Sequence, residues 1–426
     1  MKLELPRGMR DIEPKESSAI EYVRQKFIET SNLFGFQFME SSPIELLSVI
    51  ETKSGPSIKN EIYYFTDKGD REVALRFDFT IGITRYATSQ KSMRLPAKIS
   101  TFGGVWRYDE PQKGRYRFFH QWDIEIYGEP NLESDAEIID FTSKFLTNLG
   151  LENIVIDICD RELIESYVRS IFKSNSPEMI GDILRAVDKI QKKRKQDIIN
   201  EYKEKGYSVS ELEQVLNFSE IKGLPEEIEK KVDVSQLKNW DMILQLFDTL
   251  KNRGVNNVRI NFGIVRGLDY YSGIVFEVFE RNFDVGALVG GGRYDTLTKA
   301  FGRNDLGATG AAGGVERIVL LLEKQKVDTQ TKKDRISVVF VNDDMKKTAI
   351  SIASQLRLKE LPTDVDLSGK SLKKQMEIAS SSKYVVIVAP KEYASNSVII
   401  RNMRDGSEKQ VKIDDMLNDV KSNLPL

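Results

Sequence analysis

The chain has 426 residues, with 63 Lys and Arg against 65 Asp and Glu, so overall charge announces no polyanionic partner. A length prior of roughly 150 residues per domain implies two to three units. One cysteine and one histidine exclude a disulfide framework, a cysteine metal site and a histidine metal cluster. No apolar stretch approaches the roughly 20 residues that span a bilayer, and the N-terminus is no signal peptide, so a soluble, reducing, cytoplasmic setting without membrane contact is expected.

Along the chain, Ile20, Val23, Phe27 and Phe34 recur at helical spacing over 16–34. Phe36, Phe38 and Ile44 flank a short extended stretch interrupted by Pro43. Ile62–Thr66 and Glu72–Phe77 bracket Asp67-Lys-Gly-Asp70 as a β-hairpin. Arg76-Phe-Asp-Phe-Thr80 follows, with Asp78 and Thr80 pointing the same way on a strand end. A second hairpin joins 98–108 to 116–127 through a polar loop containing Pro111 and Gly114. Ser134-Asp-Ala-Glu137 reads as a capping box opening a helix that ends near Gly150. Cys159 sits in an apolar run and reads as a buried small hydrophobe rather than a nucleophile.

Residues 161–252 change character, with Lys, Glu, Ile and Leu at helical spacing broken by Gly206 and Pro225. The basic run Lys192–Lys195 reads first as a solvated helix face and second as an RNA contact. Strands return at Val258–Phe262 and Ile274–Phe279, flanking the loop Val265–Gly273. Glycines crowd at Gly290–Gly292 and from Gly307 to Gly314, and Glu316-Arg317 opens an apolar helix. Polar residues 324–335 read as a linker. Beyond it, the continuous apolar runs Ile336–Val341 and Tyr384–Val388, separated by helical segments, predict a small α/β domain with a parallel sheet. Asp405-Gly406 marks a late hairpin.

Four clusters could carry chemistry, the Arg76–Thr80 segment among them. Arg107 to Gln121 gathers arginines, carboxylates and aromatics around one hairpin; arginine matches phosphate oxygens and an aromatic offers a base a stacking face. A solvated basic turn explains that cluster equally well on its own. The loop Arg266-Gly-Leu-Asp-Tyr-Tyr271 is unusually polar and aromatic for a connection between apolar strands. Arg317 places a cation at the helix end whose dipole favours anions, so it needs a partner, either a bound polyphosphate or a nearby carboxylate.

Taken in this order, the segments resemble the histidyl-tRNA synthetases, class II aminoacyl-tRNA synthetases. Leu5-Pro-Arg-Gly-Met-Arg-Asp11 is similar to the family's N-terminal signature, and Pro43 falls where motif 1 places its dimer-interface proline. Arg107–Gln121 resembles motif 2 and Gly310–Arg317 resembles motif 3. Val265–Tyr271 and Ala287–Asp295 match the two histidine-specific peptides. The resemblance covers essentially the whole chain. It implies an α/β (α+β) fold: a class II antiparallel-sheet catalytic domain over 1–325 with a helical insertion about 161–255, a linker at 326–335, and an α/β anticodon-binding domain over 336–426.

The resemblance also implies roles. ATP, with Mg2+, would activate L-histidine, and the product would be transferred to histidine tRNA by a homodimer. Arg107, Arg266 and Arg317 would be catalytic, holding the α-phosphate, the opposite side of the reacting centre, and the γ-phosphate. Asp109, Arg115 and Phe119 would complete the ATP site, Phe119 stacking on adenine. Asp78, Phe79, Thr80 and Gln121 would surround the histidine ammonium, and Glu125 would accept from its imidazole with Tyr270, Tyr271 and Arg266 nearby. Polar groups that must be satisfied by two ring nitrogens reject isosteres, so no editing domain is required. Asp78 and Asp109 stand where glutamate is usual, and Glu110 stands where bacterial members often carry arginine. That change shifts reading of the tRNA acceptor end to Glu110, Gln112 and Lys113, a pattern nearer archaeal and eukaryotic members. The runner-up is a non-catalytic paralogue, such as the regulatory subunit of ATP phosphoribosyltransferase, which lacks the last domain.

Overall fold

The computed structural model describes residues 3–110, 116–190, 193–265, 271–329, 335–367 and 369–416, together with 418. The chain forms two compact units, Met1–Gln330 and Thr331–Leu426.

In the first unit, helix α1 (Pro14–Leu33) opens on a proline, which has no N–H to leave unpaired in the first turn. Its Ile20, Val23 and Phe27 are buried at the expected spacing, and Phe27 meets Phe102, Trp122, Phe141 and Phe145 at ring distances of 5.6–6.0 Å. Strand β1 (Gln37–Phe38), strand β2 (Ile44–Leu46) and helix α2 (Leu47–Ser54) precede the hairpin of β3 (Tyr64–Thr66) and β4 (Glu72–Leu75). β2, β4 and β3 form a small antiparallel sheet, and Asp67 closes the turn by accepting from the Gly69 and Arg71 N–H groups.

The strand end expected at Asp78–Thr80 is instead the start of helix α3 (Thr80–Ser89). Asp78 accepts the Ile81 N–H at 3.4 Å, supplying a first-turn donor with the partner the helix cannot. The long hairpin β5 (Ala97–Trp106) and β6 (Phe118–Gly128) leads to helix α4 (Leu132–Asn148). Its cap is Asn131, whose side chain accepts from the Ser134 N–H, so Ser134 lies inside the first turn and the capping box expected there does not form.

Strand β7 (Ile154–Asp160) buries all seven residues, including Cys159, whose thiol burial pushes well above its ordinary range. Six helices follow: α5 (Arg161–Phe172), α6 (Pro177–Lys189), α7 (Lys195–Glu204), α8 (Val209–Ser219), then, after the short β8 (Lys222–Gly223), α9 (Pro225–Glu229) and α10 (Trp240–Asn252). Lys193, Arg194 and Lys195 pair with Glu201, Asp197 and Glu220, so the described part of the basic run is matched within these helices. Strands β9 (Val258–Asn261), β10 (Ile274–Glu280) and β11 (Val289–Arg293), helix α11 (Asp295–Ala300), strand β12 (Gly307–Gly314) and helix α12 (Val315–Lys324) complete the unit. The large sheet runs β1-β5-β6-β12-β11-β10-β7-β9-β8; β1/β5 and β7/β9 are parallel and the other pairs antiparallel.

In the second unit, β13 (Ile336–Phe340), α13 (Lys346–Leu358), β14 (Thr363–Val365), α14 (Leu372–Ile378), β15 (Tyr384–Val388), α15 (Pro390–Tyr393), β16 (Ser397–Asn402) and β17 (Glu408–Lys412) form a sheet ordered β14-β13-β15-β16-β17. The first three strands are parallel, and both β13 and β15 are buried throughout, the signature of a sheet covered on both faces. β16 and β17 make the expected late antiparallel hairpin.

Candidate active site

Alternation along β6 sends Gln121, Asp123 and Glu125 to one face, where all three are buried. Their register partners on β12 are Gly314, Ala312 and Gly310. Small residues there are a spatial requirement: a Cβ on Gly310 would fall 1.5 Å from Glu125 Oε2. Glu125 accepts from the Tyr294 hydroxyl, which lies 3.3 Å from the Tyr127 hydroxyl, itself 3.0 Å from Thr84 Oγ1. Burial and the Glu125 charge push both tyrosines well above their ordinary range, so both stay protonated and Tyr294 remains a donor. The Thr80 hydroxyl donates to Asp123 at 3.4 Å. Gln121 Oε1 is buried and lacks a hydrogen-bond partner among the described residues, an acceptor held ready for a polar ligand.

This face adjoins a cleft of about 610 Å³. Arg107, Asp109, Tyr116, Phe119 and Gln121 form one wall, and Gly313, Gly314, Glu316 and Arg317 another. The Arg107 Nε donates to the Phe77 carbonyl at 3.0 Å, and its guanidinium stands 5.1 Å from the centre of the Phe119 ring. Arg317 Nη1 donates to the Ala287 carbonyl at 2.8 Å from the first turn of α12. Two arginines thus converge on one cleft from separate elements, each donating to a backbone carbonyl. His120 packs its ring near Phe102 and Phe118, with its Nδ1 3.1 Å from Glu316 Oε1.

The predicted residues divide accordingly. Arg107, Asp109, Phe119, Gln121 and Arg317 line the cleft; Asp78, Thr80, Glu125 and Tyr271 stand outside its lining, with Glu125 and Thr80 reaching it through the Gln121–Asp123 face. Phe79 is wholly buried in the hydrophobic core with the Arg76 guanidinium 4.6 Å above it, so its side chain packs rather than binds. Tyr271 is buried, its ring 3.1 Å from where a Gly292 Cβ would lie. Glu110 pairs with Arg7 at 3.1 Å on the exposed surface. Gln112, Lys113, Arg115, Arg266 and Tyr270 lie outside the described residues.

Beyond the site residues expected from sequence, the structure adds Asp123, Tyr294 and the cleft residues Asp188 and Glu277 to the site. Asp123 was available from the alternation that selected Gln121 and Glu125. Asp188 was not, because it comes from α6, far away in sequence.

A family model described as histidyl-tRNA synthetase matches residues 8–318, and one described as anticodon binding domain matches 335–423. The histidine–tRNA ligase of Pyrococcus furiosus is 34% identical, over 99% of this chain and 99% of its own. A crystal structure of histidyl-tRNA synthetase from Nostoc sp. PCC 7120 superimposes with a TM-score of 0.82 at 21% identity, covering 100% of both chains. An ATP phosphoribosyltransferase regulatory subunit/histidyl-tRNA synthetase from Bacillus halodurans reaches 0.75 at 20% identity, over 91% of this chain and 99% of that one. Likeness at such identities shows the fold alone; the sequence matches carry the lineage. With its buried Gln121–Asp123–Glu125 face beside a two-arginine cleft, the chain belongs to the histidyl-tRNA synthetase family.

Proposed function

We propose that this enzyme activates L-histidine with ATP and transfers it to the 3′ end of histidine tRNA. One observation carries the reading: a buried carboxylate–tyrosine pair, Glu125 and Tyr294, shares its sheet face with the unpartnered Gln121 acceptor, and that face opens on a cleft bearing Arg107 and Arg317. Carboxylates accept the N–H of an imidazole and the hydrogens of an ammonium; arginines bind phosphate oxygens.

In the first step a histidine carboxylate oxygen attacks the α-phosphorus, the bond to the bridging oxygen breaks, and pyrophosphate leaves. Negative charge on the phosphoryl oxygens is what preorganised cations stabilise. Arg107 takes the α-phosphate, Arg317 the γ-phosphate, and Arg266 the opposite side, with Arg115 on the polyphosphate and Phe119 against adenine. Glu125, fixed by Tyr294, accepts from the imidazole, while Gln121, Asp123, Thr80 and Asp78 meet the ammonium. In the second step the tRNA's terminal ribose hydroxyl attacks the activated carbonyl and AMP departs. Glu110, Gln112 and Lys113 face the acceptor end, and residues 336–426 take the anticodon.

Among the described residues no group of three or more His, Cys, Asp or Glu side chains could hold a metal ion. Mg2+ would enter with the ATP phosphates, its usual escort. The motif 1 position of Pro43 supports a homodimer, and the reaction itself supports a cytoplasmic setting. Among the described residues no helix is long and apolar enough to cross a membrane. The paralogue reading is weaker, because the curated relatives matched over nearly the full chain are named histidine–tRNA ligases. Histidine-dependent ATP–pyrophosphate exchange, followed by charging of histidine tRNA, tests the assignment. Exchange with no dependence on histidine defeats it.

A further inference from the structure

The proposed chemistry leaves the Pro6–Arg10 segment without a task, yet this segment is fastened to both described stems of the motif 2 loop. Arg117, only 7% exposed, sits just before β6. Its Nη1 donates to the Arg7 carbonyl at 3.0 Å and its Nε to the Asp109 carbonyl at 3.1 Å. Its backbone N–H donates to the Gly8 carbonyl at 3.2 Å, and its own carbonyl accepts the Arg107 N–H at 2.9 Å. The guanidinium also lies 3.9 Å from the centre of the Tyr108 ring. On the same stem, Arg10 stands 3.9 Å from the centre of the Tyr116 ring and is anchored by Glu16 of α1, while Arg7 reaches the other stem through an exposed pair with Glu110 at 3.1 Å. Gly8 has φ +84°, and a Cβ there would meet Arg117 Cδ at 2.6 Å, so both backbone and space demand glycine. Asp109 and Tyr116 line the cleft beside Arg107.

We propose that the N-terminal segment is a strap for the ATP site, with Arg117 and Arg10 as positioning residues. One planar guanidinium fixes two carbonyls at once, a geometry that lysine's point charge does not reproduce. The strap sets where Asp109, Tyr116 and Arg107 stand without itself touching the nucleotide, and misplacing such groups by about 1 Å can cost about a hundredfold in rate. The inference rests on the ATP reading above.

The test uses the full chain carrying Arg117→Gln, Gly8→Ala, the two combined, and Arg10→Ala. The expected result is a fall of about tenfold or more in kcat for histidine-dependent exchange with Arg117→Gln and with Gly8→Ala, at a melting temperature near that of the unchanged protein. The combined variant should lose less than the product of the two single losses, since both changes act on the Gly8–Arg117 contact. Arg7→Ala, which keeps the carbonyl, should leave exchange unchanged. Amide hydrogen exchange at 107–110 and 116–118 should quicken in the strap variants, a readout that needs no activity. A folded Arg117→Gln protein with unchanged kcat and unchanged amide protection overturns the strap, as does a multiplicative loss in the combined variant. If Arg117→Gln does not fold, Gly8→Ala and Arg10→Ala decide by the same two readouts. If the unchanged protein shows no histidine-dependent exchange, the functional reading fails, and amide protection alone judges the strap.

Discussion

Both carboxylate oxygens of Glu316 accept the backbone N–H of His120, at 2.9 and 3.0 Å, tying the first turn of α12 to β6 across 196 residues of sequence. The contact puts an anion at the helix end that favours one, directly beside Arg317. Glu316→Ala strips the His120 N–H of its partner and should cost about 1–3 kcal/mol in denaturant unfolding. His120→Asn keeps the N–H and loses only the ring contact, so it should cost about 1 kcal/mol or less. Equal losses would mean that the ring, and not the backbone, carries the link.

Arg266 bears the most specific mechanistic expectation. Arg266→Ala should lower the rate of pyrophosphate exchange by about a hundredfold or more, while ATP binding by equilibrium dialysis changes far less, as expected of a cation acting on transition-state charge. Near-normal exchange in the variant sinks the assignment.

Gly310 and Tyr294 both serve Glu125. With Gly310→Ala the new Cβ occupies the carboxylate's place, so KM for histidine should rise at least about tenfold with KM for ATP little changed. Tyr294→Phe removes the donor to Glu125, a hydrogen bond to a charged group worth about 1.5–3 kcal/mol, and should raise KM for histidine about tenfold or more. Parallel changes in both KM values would show that these residues shape the cleft as a whole.

Asp135 offers a pH test. It is buried, it pairs with Arg293 at 2.8 Å, and burial lifts its carboxyl from the ordinary 3.8 to about 6, against the pull of Arg293. The folded chain therefore binds this proton more tightly than the unfolded chain. The stability so gained is full below about pH 4 and is lost as pH rises through about 6, a swing of about 3 kcal/mol. The stability difference between the unchanged protein and Asp135→Asn should fall by that amount from pH 4 to pH 7. A flat difference rules out the raised carboxyl.

The sequence by itself determined what local pattern can encode. The α1 stripe, the two early hairpins, burial of Cys159 and the alternating α/β segments after the linker all follow from periodicity and turn chemistry, which act within a few residues. Order and spacing of the motifs likewise identified the family, and alternation on one strand put Gln121 and Glu125 on a shared face. Local competition decided two details otherwise: Asn131 outcompeted Ser134 for the cap of α4, and Asp78 satisfied a helix start where a strand end was expected. Only the tertiary structure could set Gly310 under Glu125, Glu316 against His120, Asp188 in the cleft wall and Arg7 against Arg117. Those contacts depend on strand register and on elements packed from distant parts of the chain, and neither leaves a periodic trace in the sequence.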